Sequence, residues 1–372
     1  VDRDISDTYF NKMCQRIKAM NYSGNRLQNY ALQEVLVKKG YEVQTIKNLF
    51  QSDMPQKRNL VKKAFCAIKD GNLESKIKNR KLNRIRTNKF VNFTKKWIYE
   101  SEDMITSLDQ GINIDNDFDF YIIGSDQVWN YTFSRFSELD FVSYSNKPKI
   151  SYAASFGVTF VPDKQKNFFI EGLNNIDFIS VREEAGKKIV EELSDKKATV
   201  VLDPTMLLDK EEWGELSKES NFDTNFSYVL TYFLGEFTIE YKKYVEKYAK
   251  EKKVKIINIG DISDRKTWLA DPSDFVKLFE NAQAVFTDSF HACVFSIIFE
   301  KYFEVFERQS TLLSMNSRID TLLTSLSIED RWNRGGDSHK KEINYSEVKK
   351  LLEYKKKESM DFLDSALKGI VL

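Results

Sequence analysis

The sequence predicts an α/β protein of two domains, each built on a largely parallel β-sheet. Three observations carry this prediction. The length of 372 residues exceeds what one ordinary hydrophobic core serves. Short apolar strands alternate with amphipathic helices along the first half, and the same alternation starts again near residue 226. We therefore expect Rossmann-like domains at residues 1–205 and 206–372 that face each other across a cleft.

The composition argues against several classes of function and location. The 57 basic and 56 acidic side chains nearly cancel, so a nucleic-acid partner is not indicated. Cys14, Cys66 and Cys293 share no metal-ligand spacing, and a chain with two histidines is a poor candidate for a His-based metal site, so no metal is expected. Because no apolar run approaches the roughly 20 residues that span a bilayer, we expect a cytoplasmic protein.

In the first half, "NYALQEVLVKKGYEVQTI" indicates a helix, a C-cap at Gly40 and a strand over 41–46. A strand should also precede this helix, but "NKMCQRIKAM" alternates poorly between apolar and polar residues, and we assign none there. Further strands are predicted in "FDFYIIGSDQVWN", "PKISYAASFG", "IDFISVREEAG" and "ATVVLDPTMLL".

Residues 56–97 hold 14 Lys and Arg against two acids, which predicts a helical insertion with a basic face. Such a face suits peripheral contact with an anionic membrane surface or a lipid diphosphate, at about 1 kcal/mol per well-placed cation. The alternative is a solvated face whose interleaved aromatic residues belong to the core.

The second half repeats the pattern, with strands in "FSYVLTYFLG", "VKIINIG" and "AVFT". "DPSDFVKLFENA" reads as a helix with Asp271 or Ser273 near its N-cap. We expect the last helix, around "EVKKLLEYKKKESMDFLDSALK", to pack back on the first domain.

His291 lies where the strand "AVFT" turns into the helix "FHACVFSIIFE". Asp288 or Ser289 can cap this helix, which places His291 in its first turn. Free backbone N–H groups and the positive end of the helix dipole favour an anion there, and a bound dianion would draw the imidazole toward protonation. The alternative is a histidine packed among neighbouring phenylalanines.

Arg182 also follows a predicted strand, in "FISVREEAG". A guanidinium at a strand end can hold a carboxylate or phosphate with two hydrogen bonds. The alternative is an ion pair with Glu183 or Glu184.

The loop "GSDQVWN" follows the strand that ends near residue 123. Polar groups from Ser125, Asp126 and Gln127 beside the Trp129 indole suit sugar binding, because sugars stack on aromatic rings while their hydroxyls bind carboxylates and amides. The alternative is a turn with a core tryptophan.

Taken in order, these segments resemble the polysaccharide pyruvyl transferase family. The resemblance runs from about residue 21 to about residue 330 and depends on "NYSGNRLQNYALQ", "FDFYIIGSDQVWN", "ISYAASFG", "ISVREEAGKKIVEEL", "VLDPTMLL", "FTDSFHACVFSIIFEKYFEVF" and "NSRIDTLL". The family's usual Asn-Tyr-Gly is here "NYSG", one residue longer.

The resemblance implies a GT-B-like architecture and a transferase of surface-polysaccharide biosynthesis. Such enzymes move pyruvyl from phosphoenolpyruvate onto two sugar hydroxyls as a cyclic ketal, with no cofactor. On this basis His291 would transfer protons, and Arg182, Ser289 and Asp288 would bind the donor with it. Asp126 would accept a proton from the acceptor.

The resemblance also places the acceptor at the first domain, with the donor at the second. The acceptor would be a saccharide, on a lipid diphosphate or a nucleotide, held by Asn21, Asn25, Ser125, Asp126, Gln127 and Trp129. Two other readings remain open: a GT-B glycosyltransferase that uses a nucleotide sugar, and an inactive relative that serves as an assembly subunit.

Overall fold

The computed structural model describes residues 12–17, 23–48, 73–309, 316–335 and 339–371. Its twelve described strands form two sheets, and every pairing within them is parallel. The predicted α/β fold class with two Rossmann-like units is confirmed.

The first sheet has seven strands in the order β3-β2-β1-β4-β5-β6-β7. The strands are β1 (Lys12–Ile17), β2 (Glu42–Asn48), β3 (Glu100–Ile105), β4 (Phe120–Ile123), β5 (Lys149–Ala154), β6 (Phe178–Val181) and β7 (Ala198–Val200). The helices of this half are α1 (Ser23–Lys38), α2 (Leu73–Trp97), α3 (Leu108–Ile114), α4 (Asp163–Asn174) and α5 (Glu184–Leu193).

The second sheet has five strands in the order β12-β11-β10-β8-β9. They are β8 (Tyr228–Tyr232), β9 (Lys255–Ile259), β10 (Ala284–Thr287), β11 (Tyr302–Phe306) and β12 (Trp332–Asn333). The helices are α6 (Lys210–Ser217), which leads into β8, α7 (Ile239–Lys252), α8 (Arg265–Trp268), α9 (Pro272–Asn281), α10 (Phe290–Ile298), α11 (Ser317–Ser325) and α12 (Tyr345–Val371).

Two local expectations change. The segment to which we assigned no strand contains β1, which lies between β2 and β4 and pairs with both. Of the two candidate caps for α9, the structure uses Asp271, whose Oδ1 accepts a hydrogen bond from the Asp274 amide at 2.9 Å. The basic insertion is helical over α2, and residues 56–72 lie outside the described part.

One hydrophobic core runs between the two sheets, and a separate core covers the outer face of each. Trp213 of α6 joins the halves in the shared core. Its ring centroid lies 5.8 Å from that of Tyr30 in α1 and 5.0 Å from that of Phe295 in α10. Its indole N–H donates to the Thr205 carbonyl at 3.0 Å.

Helix α12 packs against the first sheet although it follows the second in sequence. The Leu202 amide, just beyond β7, donates to the Ser359 hydroxyl at 2.9 Å. The ring of Phe178 in β6 lies against Gly369, where an added Cβ would come within 2.5 Å of it. The last helix therefore closes the β6–β7 side of the first half.

Candidate active site

Several polar side chains follow the carboxyl ends of strands and meet between the halves. Asp126 follows β4, Arg182 follows β6, Asp203 follows β7 and His291 follows β10. In parallel sheets these ends lie on one edge, where loops enter helices and ligands bind. Since the two edges face each other here, groups from both halves form one cluster.

Arg182 is the centre of this cluster and is 3% exposed. Its Nη1 donates to Asp203 Oδ2 at 2.6 Å, and its Nη2 donates to Asp126 Oδ1 at 3.0 Å. The guanidinium lies 4.5 Å from the centroid of the Phe290 ring. The alternative, an ion pair with Glu183 or Glu184, is not found among the described residues: the ion-pair partners of Arg182 are Asp126 and Asp203, and Glu183 Oε1 accepts from the Ser155 hydroxyl at 2.9 Å.

Asp203 joins the two halves and was not singled out from the sequence. Its Oδ2 also accepts from the Ser125 hydroxyl at 3.2 Å, and its Oδ1 accepts from the Thr205 hydroxyl at 2.6 Å. Burial alone would raise the pKa of this carboxyl, but Arg182 and His291 hold it below its ordinary value. Asp203 is therefore an ionised carboxylate in the core of the site.

His291 is the second residue of α10, as predicted, and its side chain is 12% exposed. Its Nε2 lies 3.7 Å from Asp203 Oδ2 and has no hydrogen-bond partner among the described residues. On the other side of the ring, a Cβ added to Gly24 would lie 2.3 Å from Nδ1. Only glycine at position 24 leaves room for the imidazole in this position.

The buried position of His291 favours the neutral form of its imidazole. Burial lowers its pKa below the usual value, and the cations Arg182 and Arg318 lower it further, against the opposing effect of Asp203 and Asp126. A neutral imidazole can accept a proton at once, and it becomes a donor only when added negative charge raises its pKa.

Asp126 and Asp203 both form ion pairs with Arg182. The side chain of Asp126 is 20% exposed. Burial would raise its pKa, but Arg182, His291 and Arg318 hold it well below the ordinary value. A carboxylate with so low a pKa is a weak base while these contacts last. The assignment of Asp126 as proton acceptor stays a prediction.

Arg318, in the first turn of α11, is a member of the cluster that sequence reasoning missed. It is 4% exposed, its Nη1 lies 4.0 Å from Asp126 Oδ1, and its Nε has no hydrogen-bond partner in the described part of the chain. Burial and the neighbouring Arg182 lower its pKa to about 10. Arg318 stands in the segment "NSRIDTLL". It was not selected as a site residue because it does not directly follow a predicted strand.

Of the two predicted caps of α10, Ser289 occupies the N-cap position, without a side-chain cap bond. Asp288 has another role. Its two carboxylate oxygens accept from the amides of Leu234 and Gly235, each at 2.7 Å, so it holds the loop that follows β8.

The residues of "GSDQVWN" separate into two groups. Ser125 is buried against Asp203, and Gln127 is half-buried with its Oε1 accepting from Asn130 at 2.7 Å. Trp129 is fully buried, with its ring stacked on Phe141 at 5.6 Å. It offers no face to a sugar, so the structure gives the core tryptophan of the alternative.

Two cavities adjoin the cluster. The larger, of about 960 Å³, is lined by Arg182, Asp203 and Phe290 and extends between α11 and α12. The smaller is lined in part by Asn25 and Asp126, which places these two predicted acceptor residues on one wall. Asn21 lies outside the described residues.

A family model described as polysaccharide pyruvyl transferase matches residues 23–310. The chain belongs to this family. The match contains Asp126, Arg182, Asp203 and His291, whereas Arg318 and α12 lie beyond it. No curated protein matches the chain in sequence.

Solved structures resemble the chain along most of its length. The UDP-GlcNAc 2-epimerase of Methanocaldococcus jannaschii is 10% identical, with a TM-score of 0.48 and coverage of 92% of both chains. The epimerase of Neisseria meningitidis, bound to UDP-GlcNAc, is 11% identical, with a TM-score of 0.47 and coverage of 94% of both. A glycosyltransferase of Rickettsia africae is 11% identical, with a TM-score of 0.42, covering 97% of this chain and 98% of its own.

The described residues offer neither a metal cluster nor a membrane span. Among them, no group of three or more His, Cys, Asp or Glu side chains is placed to hold a metal ion. None of the helices in this part of the chain combines the length and apolar character needed to cross a membrane.

Proposed function

We propose that this protein transfers the pyruvyl group of phosphoenolpyruvate to two hydroxyls of a sugar, forming a cyclic ketal in surface-polysaccharide biosynthesis. The observation that carries the proposal is a buried cluster at the N-terminus of α10, in which His291 lies near Asp203 and Arg318 near Asp126, and in which His291 Nε2 and Arg318 Nε have no hydrogen-bond partner among the described residues. Family membership supports the reaction class.

The reaction needs one proton delivered and two removed. Protonation of the methylene carbon of phosphoenolpyruvate makes C2 electrophilic, and one sugar hydroxyl attacks it and loses its proton. The bond from C2 to the phosphate oxygen breaks, inorganic phosphate leaves, and the second hydroxyl adds to C2 and loses its proton. One released proton replaces the one given to the methylene, and the other leaves with phosphate.

His291 suits the delivery step because of the charge balance around it. Two guanidinium groups face the two carboxylates of Asp126 and Asp203, and burial favours the neutral imidazole. Phosphoenolpyruvate brings a phosphate and a carboxylate. The added negative charge raises the pKa of His291, so donor binding itself would charge the acid that the first step uses.

The two arginines have different parts in this proposal. The Nη atoms of Arg182 are engaged by Asp203 and Asp126, so its main part is to orient these acids. Arg318 is less completely paired: its Nη1 lies 4.0 Å from Asp126 Oδ1, and its Nε has no hydrogen-bond partner among the described residues. A buried guanidinium in that state favours an anion. We therefore assign the donor's anionic group first to Arg318, with Ser289 and the α10 amides beside it.

The acceptor side is proposed more coarsely. A saccharide would enter along Asn25, Ser125 and Asp126, and the enzyme would need no cofactor besides its co-substrate. If the acceptor is attached to a lipid diphosphate, exposed basic residues of α2 are placed for peripheral contact at the inner membrane face. These are Lys78, Arg80, Lys81 and Arg84.

Calorimetric titration with phosphoenolpyruvate, UDP and GDP tests the donor. We expect saturable phosphoenolpyruvate binding that weakens about 10- to 100-fold in Arg318→Ala, since hydrogen bonds to charged groups contribute about 1.5–3 kcal/mol. Arg84→Ala, an exposed arginine, is the matched control. In buffers of different ionisation enthalpy, wild type should take up a proton on binding and His291→Ala should not. Nucleotide binding without phosphoenolpyruvate binding would instead support a glycosyltransferase.

A further inference from the structure

A further cavity, of about 480 Å³, lies away from the His291 cluster at the carboxyl ends of β11 and β12 and is called the second cavity here because it belongs to the second half. Helix α7 forms one wall and α11 another. The proposed reaction leaves this cavity without a role, although it occupies the edge of a parallel sheet where ligands bind. Its lining includes Tyr241, Tyr244, Phe306, Asn316, Trp332 and Asn333.

The lining combines aromatic rings with oriented polar groups. The Tyr241 ring lies 4.7 Å from that of Phe306, and the Trp332 indole N–H donates to Asp320 Oδ1 at 2.9 Å. Rigid aromatic surfaces beside amides and carboxylates match the two sides of a sugar, which has apolar C–H faces and a rim of hydroxyls.

The net negative charge of the cavity lining favours a neutral sugar over a phosphorylated ligand. Three carboxylates, those of Glu240, Glu307 and Asp320, face the cavity with one guanidinium, that of Arg334. This excess of negative charge repels phosphate, so a nucleotide or a second phosphoenolpyruvate is disfavoured. A neutral polyol has no such penalty, and its hydroxyls can donate to the carboxylates.

Helix α11 connects this cavity to the proposed active site. Asp320 lines both this cavity and the 960 Å³ cavity, and Arg318, two residues earlier, approaches Asp126. A helix with its side chains is about 10–12 Å across. An oligosaccharide rather than a single sugar is therefore needed to reach from one side of α11 to the other.

We propose that this second cavity is a saccharide subsite, which binds a part of the acceptor remote from the hydroxyls that receive pyruvyl. The inference rests on the proposed function and makes it more specific, because it requires an acceptor of several sugar residues. It also gives the second half of the protein a share in acceptor binding.

The probe is a set of neutral saccharide fragments, two to six residues long. They are released by mild hydrolysis from the surface polysaccharide of a strain in which this gene is deleted. Binding is titrated by calorimetry without phosphoenolpyruvate. We expect Tyr241→Ala to weaken the binding of the longer fragments on the order of tenfold, and Glu307→Ala by a smaller factor.

Tyr354→Ala and Glu246→Ala are matched controls, since both positions are exposed and lie outside the cavity. Thermal unfolding checks that Tyr241→Ala is folded, and Glu307→Ala keeps the test informative if it is not. The inference is overturned if no fragment binds, if binding is equal in both cavity variants and wild type, or if UDP displaces the fragments. A failure of phosphoenolpyruvate to bind wild type would overturn the proposed reaction and would leave the fragment titration readable.

Discussion

The chain has two histidines, and each lies 3.7 Å from an oxygen of a fully buried carboxylate. His291 faces Asp203 between the two halves. His339 faces Glu304 inside the second half, with its ring 4.6 Å from that of Tyr244 and 4.9 Å from that of Tyr248.

The two acids are satisfied in different ways. Asp203 is paired with the guanidinium of Arg182 at 2.6 Å. Glu304 accepts hydrogen bonds from neutral groups, the hydroxyls of Tyr302 at 2.6 Å and Tyr244 at 2.8 Å and the amide of Asn333 at 2.8 Å. Burial and then Glu304 raise the pKa of both tyrosines, so their hydroxyls remain donors.

Both histidines lie at the same distance from a buried acid, but the partners of the two acids differ in charge. Around Glu304, neutral donors form a network that ties β11 to β12. Around Asp203, the partner is the guanidinium of Arg182, which also lines the 960 Å³ cavity. We therefore propose that the charge of the groups around the acid, rather than its distance from the histidine, distinguishes the candidate site.

The largest contrast in stability is expected from neutralising the two acids. Asp203→Asn leaves the buried Arg182 with Asp126 as its remaining charged partner and should lower the free energy of unfolding by about 3–5 kcal/mol. Glu304→Gln loses weaker, neutral-donor hydrogen bonds and should cost about 1–3 kcal/mol. Urea unfolding measures both, and equal losses would remove the distinction between the ionic and the neutral network.

The largest contrast in activity is expected from removing the two histidines. His291→Ala should lower turnover on the order of 10²-fold or more, because proton transfer by a positioned side chain contributes about that much. His339→Ala should stay within about threefold of wild type. Phosphate release from phosphoenolpyruvate, with acceptor saccharide from the deletion strain, is the readout. Near-normal turnover in His291→Ala rules out the assigned role.

A smaller contrast in turnover is expected between alanine substitutions of two helix glycines, one beside His291 and one away from it. Gly24→Ala places a Cβ against His291 Nδ1 and should reduce turnover roughly 10- to 100-fold, since small displacements of a catalytic group have effects of that size. Gly214→Ala, with its nearest atom at 3.6 Å, should raise stability by about 0.5–1 kcal/mol without changing turnover. Unchanged turnover in Gly24→Ala would show that the imidazole need not hold its place.

The smallest expected effect is on the pH dependence of folding. Burial lowers the pKa of His291 in the folded protein, so the unfolded chain binds the proton more tightly. The stability due to neutral His291 is present above about pH 6.5 and is lost as the pH falls toward the folded pKa, at no more than about 1.4 kcal/mol per pH unit. His291→Gln should flatten this decline between pH 7 and 5.

The same titration should run parallel for wild type and His291→Gln above pH 7.5. Asp126 and Asp203, whose folded pKa values are lowered, contribute stability that is lost only below about pH 4. A decline between pH 7 and 5 that persists in His291→Gln would assign that loss to other groups.

The sequence predicted most strands because their signal is local. Short local runs identified β2 and β4 to β10, whereas β1, β3, β11 and β12 were not predicted. β1 escaped because "KMCQRI" has no clear period, and its place depends on pairing with β2 and β4 from other parts of the chain. Periodicity does not carry information about such partners.

The site was predictable to the same extent. Position at a strand end singled out His291 and Arg182, and the structure places both near the same carboxylate, that of Asp203. What the sequence did not reveal was that Arg182 would be engaged by Asp126 and Asp203, because those contacts depend on which strands are adjacent in the sheet. Arg318 was missed because it enters from a helix after a loop.

The hydrogen bond from Leu202 to Ser359 spans 157 residues of sequence and lies beside Asp203. During synthesis the first sheet emerges from the ribosome long before α12 does. The β7 edge of this sheet therefore cannot bond to α12 until α12 has been made. Domains commonly fold as units in the order of their synthesis. Here the first half acquires the wall that α12 forms only after the second sheet has been translated, which ties the assembly of the site to the synthesis of α12.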